Sequence, residues 1–118
     1  MNTEKIINEI DNGKSAIFEI PSGGSEKWKG SLITVSANKN GEQSYRIVTG
    51  RLYKNEEEYY LELPFAEDVS KTEIRKRIES LNKEVKTNKG RILFKDRNTA
   101  IAPDVMGFIE WIQKREKK

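Results

Sequence analysis

From Ser15 to Leu63 the chain reads as four stretches of strand character, cut by residues that turn it. "SAIFEI" puts Ala16, Phe18 and Ile20 on one face of an extended segment, and Pro21 ends it. "SGGS" then supplies a loop. "WKGSLITVSA" is the second strand, and Asn40-Gly41 in "NKNG" is a strong two-residue hairpin signal. "QSYRIVTGRLY" is the third, with Gly50 marking a bulge or bend inside it. "KNEE" turns the chain again. "YYLEL" is the fourth, with Tyr59, Leu61 and Leu63 on one face, Tyr60 and Glu62 on the other, and Pro64 closing it. Connections this short allow only antiparallel neighbours, because a parallel pair needs a crossover of about a dozen residues.

Helices flank this meander. Thr3 to Asp11 carries Ile6, Ile7 and Ile10 at helical spacing, and Asn12-Gly13 stops it. Ser70-Lys71-Thr72-Glu73 matches a capping box, in which the Ser and Glu side chains satisfy free backbone donors at a helix start. Ile74, Ile78, Leu81 and Val85 then form one apolar stripe, and Asn88-Lys89-Gly90 ends the helix. "RILFK" is a fifth strand. After an Asp96-Arg97-Asn98 turn, "TAIA" is a short optional sixth. Pro103 suits the first turn of a last helix whose core face is Val105, Phe108, Ile109 and Ile112.

The fold class is α+β in the order α-β-β-β-β-α-β-(β)-α. A curved antiparallel sheet of about five strands is covered on one face by three helices, within one domain of 118 residues. A small barrel of SH3 or OB type in the first half is the alternative.

Composition then excludes whole classes of chemistry. The chain has no Cys and no His. That removes disulfides, thiol nucleophiles, imidazole bases and the usual zinc ligands. The run Glu56-Glu57-Glu58 fits no calcium loop, and no glycine-rich phosphate motif is present. The chain is expected to be non-enzymatic, without metal or cofactor. No apolar run approaches the roughly 20 residues that span a bilayer, and the N-terminus lacks a secretion signal. A cytoplasmic protein is the expectation.

Charge is uneven. Residues 1–59 carry eight Lys or Arg against nine Asp or Glu, and residues 60–118 carry fourteen against ten. The excess concentrates in Lys71 to Arg97, with ten Lys or Arg and four Asp or Glu. Clusters like this bind phosphate backbones by releasing counterions. Lys76, Lys83, Lys86, Lys89, Arg91, Lys95 and Arg97 are the candidate phosphate contacts. Facing outward, Arg91, Leu93 and Lys95 would make a cationic strip on the sheet. The plain alternative is a solvated helix, self-neutralised by the i, i+4 pairs Glu73–Arg77, Arg75–Glu79 and Glu79–Lys83.

Aromatic residues complete the candidates. Trp28 follows a glycine loop between Lys27 and Lys29, and would stack on a base or cover the end of the sheet. Trp111 falls outside the apolar arc of its helix beside Lys114 and Arg115, as a partner anchor or a rim to the core. Tyr45, Tyr53, Tyr59 and Tyr60 interleave with Arg46 and Arg51, a pattern used by sheets that bind single strands. The element order, four strands and a helix followed by a shorter strand–helix unit, resembles the Whirly and transcriptional-coactivator folds. That resemblance implies single-stranded DNA binding.

The leading expectation is a small binding protein for a polyanion, single-stranded nucleic acid foremost. One alternative is a protein–protein adaptor or inhibitor of mobile-element or bacterial regulatory type, anchored by Trp111 or the sheet edge and open to homodimerisation. Another is a sponge or sensor for a small phosphorylated ligand, clamped by Arg46 and Arg51.

Overall fold

The computed structural model describes residues 2–22, 27–38, 44–96 and 105–116. Its elements are α1 (Thr3–Asp11), β1 (Lys14–Pro21), β2 (Trp28–Ala37), β3 (Ser44–Asn55), β4 (Glu58–Ser70), α2 (Lys71–Thr87), β5 (Arg91–Asp96) and α3 (Val105–Glu116). The "SGGS" loop, the Asn40-Gly41 turn, Arg97, the "TAIA" strand and Pro103 lie wholly or partly outside the described residues. The α+β order holds, and the strands form one open antiparallel sheet, β4-β3-β2-β1-β5. Two free edges rule out the barrel alternative.

Local chemistry sets the helix ends. The Asn2 side chain accepts from the Lys5 N–H at the start of α1. Ser70 Oγ accepts from the Glu73 N–H at 3.2 Å, which is the expected cap of α2. At the other end of α2 the Gly90 N–H reaches the Val85 carbonyl, and the Lys89 N–H the Lys86 carbonyl. This is a Schellman closure, with Lys89 in the left-handed region at φ 55°. Glycine sits one place later because a side chain at Gly90 would strike the Glu19 carbonyl oxygen.

Two differences from the sequence reading matter. First, β4 does not stop at Pro64 but runs on to Ser70. Proline removes a backbone donor, which is tolerated here because β4 is an edge strand. The β3–β4 register also slips beside it: Thr49 pairs with Phe65 but Arg51 with Glu62, so two steps on β3 face three on β4. Gly50 lies at that bulge, as expected.

Second, the helices cover both faces of the sheet. On one face, Ile6, Ile7 and Ile10 of α1 and Ile74, Ile78, Leu81 and Val85 of α2 pack on Ala16, Phe18, Val35 and Ile47. On the other, Phe108 and Ile112 of α3 pack on Ile17, Leu32 and Leu52. Strand β1 is therefore buried on both sides. Gly30 permits the second layer, since a Cβ there would lie 3.1 Å from the Phe108 ring and 2.6 Å from the Ile20 carbonyl oxygen.

Tyr45 ties the sheet to α1. Its buried hydroxyl donates to Asp11 Oδ1 at 2.7 Å. Burial first, then the bond to Asp11 and its charge, push the phenol up to about 12 from 10.0. The folded pKa lies above the unfolded one, so this stabilisation is complete below pH 10 and is lost as pH rises from 10 through about 12. An absorbance titration of phenolate formation should show a late-ionising tyrosine in the wild type that Tyr45→Phe removes. The same substitution should lower stability by about 1 kcal/mol. An unchanged titration curve in Tyr45→Phe would refute the assignment.

Candidate polyanion-binding ridge

Helix α2 sorts its cations by type. Both arginines are tied to the fold. Arg75 pairs with Glu4 of α1. Arg77 makes a two-pronged bond to Glu67 of β4 at 3.0 and 2.8 Å, with Glu73 4.0 Å away. The guanidinium holds the Glu67 carboxyl below the usual carboxylate range. The lysines do something else. Lys76, Lys83, Lys86 and Lys89 are exposed, and among the described residues none of them forms an ion pair.

Of the three expected i, i+4 pairs only Glu73–Arg77 forms. Arg75 reaches Glu4 of α1 instead of Glu79, and neither Glu79 nor Lys83 has an ion-pair partner among the described residues. An interhelix pair with Glu4 was not readable from spacing within one helix. The ridge lysines are therefore not held in the pairs that their spacing predicts.

Lys76, Lys83 and Lys86 line one shallow groove with Thr3 of α1 and Glu79, Ser80 and Asn82 of α2. From Lys76 to Lys86 the helix rises about 15 Å at 1.5 Å per residue. Three ammonium groups and two hydroxyls thus border one groove, with Glu79 the one carboxylate among the described residues that line it. Thr3 and Ser80 carried no signal in the sequence, because the groove exists only once α1 lies along α2. The other end of the same seam is mixed, with Glu4, Asp11, Lys71 and Arg75.

The remaining candidates fall elsewhere. Arg91, Leu93 and Lys95 share the α3 face through their register with Glu19, Ile17 and Ser15. The strip does not open outward. Leu93 packs into the α3 core, and Arg91 is ion-paired with Glu19, whose side chain is 2% exposed. Lys95 is half-buried, and Arg97 lies outside the described residues.

Trp111 is half-buried against Phe108, with the Arg91 guanidinium 4.5 Å and the Arg115 guanidinium 5.1 Å from its ring centroid. Arg115 also donates to the Lys89 carbonyl at 3.1 Å. Trp111 thus joins α3 to the α2–β5 turn. Arg46 is paired with Asp68, on the opposite sheet face from Arg51, so the two make no common clamp.

Trp28 belongs to a row on the sheet, registered with Tyr53, which in turn is registered with Tyr60. Its indole N–H donates to the Gly30 carbonyl at 3.1 Å. Among the described residues no cluster of carboxylates suits a metal ion, and no helix is long and apolar enough to cross a membrane. Compared with protein-family models, curated proteins and solved structures, the chain matches none.

Proposed function

We propose that this chain is a non-enzymatic binding protein that holds a polyanion, single-stranded nucleic acid foremost, along the lysine ridge of α2. One observation carries the reading. The arginines of α2 are spent on internal ion pairs, while Lys76, Lys83 and Lys86 line a groove and form no ion pair among the described residues. Ammonium groups on flexible stems follow a phosphate backbone without fixed geometry. The hydroxyls of Thr3 and Ser80 add hydrogen bonds to phosphate or sugar oxygens.

The test is a titration of labelled single-stranded DNA and RNA at about 50 and about 200 mM salt. Binding should weaken steeply with salt. Changing Lys76, Lys83 and Lys86 together to Gln preserves helix propensity and should lower the slope of log affinity against log salt by about 2 on a single strand. Absence of binding at the lower salt, or an unaltered slope in the triple variant, would overturn the reading.

A further inference from the structure

We propose that the open corner of the sheet is a self-association surface, and that its occupant is a second copy of this chain. Helix α2 leaves the edge strand β4 after Ser70 and ends at Thr87, and the turn through Gly90 feeds the opposite edge strand β5. It therefore crosses the sheet obliquely, and among the described residues no helix lies over one corner of β2, β3 and β4. Two rows of side chains occupy that corner on the α1–α2 face. Ser31, Arg51 and Glu62 are registered across the three strands, and Trp28, Tyr53 and Tyr60 form the next row.

The second row is aromatic and partly exposed. Trp28 is 38% and Tyr60 44% exposed, and the Tyr53 and Tyr60 rings stack with centroids 5.5 Å apart. Aromatic residues with Arg are the composition that anchors protein interfaces.

Its charges select the occupant. Arg51 and Glu62 are exposed cross-strand neighbours, yet neither forms an ion pair among the described residues. A polyanion gains little where one cation stands beside one carboxylate. A copy of the same surface presents a partner to each. A two-fold axis in the interface plane, perpendicular to the strands and between the two rows, sets Arg51 against the aromatic row of the second copy, beside the partner's Tyr53. It also brings Glu62 to the hydroxyl of the partner's Tyr60. Each contact occurs twice, as a closed two-fold interface requires. The same axis turns the α1–α2 layers of the two copies toward opposite ends of the interface. This surface is separate from the lysine ridge and does not depend on it.

Sedimentation velocity from about 1 μM to about 1 mM brackets weak and moderate dimers. The wild-type mass should rise toward that of a dimer. Arg51→Glu and Tyr60→Ala should each raise the dissociation constant about tenfold or more. Arg51→Glu alters an exposed side chain and keeps the test readable where Tyr60→Ala weakens the hairpin. The Lys76, Lys83 and Lys86 to Gln variant should dimerise as the wild type does. A monomer at every concentration overturns the proposal, as does self-association unchanged in Arg51→Glu. An oligonucleotide that quenches Trp28 fluorescence in the ridge variant would assign the corner to nucleic acid and also overturn it.

Discussion

Arg91→Ala is expected to lower the unfolding free energy by about 3 kcal/mol, the low end for breaking a buried ion pair, because the guanidinium is itself partly exposed. For a chain of this size that is a fall of about 12 °C in the thermal midpoint. The loss comes from Glu19, not from Arg91. The Glu19 side chain is 2% exposed and lies on the α3 face of the most buried strand. Removing Arg91 leaves a carboxylate in an apolar layer without its guanidinium, and takes from Trp111 one of its two stacked cations. The double change Glu19→Leu with Arg91→Leu should recover most of the loss, since a packed apolar pair of similar volume needs no desolvation of charge. Thermal and urea unfolding of the three proteins decide the matter. A single variant as stable as the wild type would show that Glu19 does not depend on Arg91. The sequence offered Arg91 as a phosphate contact, and this experiment separates the two roles. Where unfolding is avoided by low temperature, Arg91→Ala should leave the salt slope of nucleic-acid binding unchanged.

Phe108→Ala is the second large effect, expected at about 3–5 kcal/mol. Phe108 is the largest fully buried side chain that α3 contributes to its layer. Its ring sits over Gly30, where no side chain can expand to fill the void. The remaining attachments of α3 are Ile112, half-buried Ile109 and the Trp111 corner. Amide exchange should therefore show α3 losing protection first, with α1 and α2 shielded by their own core on the opposite face. Equal loss of protection in α1 and α3 would mean that the two faces are not separable in this way.

What sequence alone could read was what neighbours in sequence decide. The caps of α1 and α2, the stripe Ile74–Ile78–Leu81–Val85 and the period-two strands all depend on residues within a few positions of one another. Pro64 was misread because tolerance of a proline depends on whether its strand lies at an edge, which is a property of the whole sheet. The second helical layer did leave a trace. Ala16-Ile17-Phe18 is an unbroken apolar run, the mark of a strand buried on both sides. Reading only its even residues hid the face that α3 covers. At the ridge, the lysines were legible as a charge cluster. That they form no ion pair among the described residues was not, because Arg75 takes Glu4 and Arg77 takes Glu67, contacts outside the spacing of one helix. The Glu19–Arg91 pair spans 72 positions and has no local signature.

The placing of β1 between β2 and β5 also sets an order of events during synthesis. Strand β1 is complete at Pro21, but its second neighbour begins at Arg91, about 70 residues later. At roughly 5–20 residues per second, a ribosome needs several seconds to cover that distance. Throughout that time the β1 edge that β5 will close stands open, with Ala16, Ile17 and Phe18 along it. Pairing with β2 can form early, whereas sealing by β5 is a contact of high sequence separation and comes late. A nascent or truncated chain ending before Arg91 therefore carries an unpaired apolar strand edge, the kind of surface that chaperones hold and that other chains join. Strand β5 contributes only six residues, but it turns the most apolar edge of the sheet into its interior.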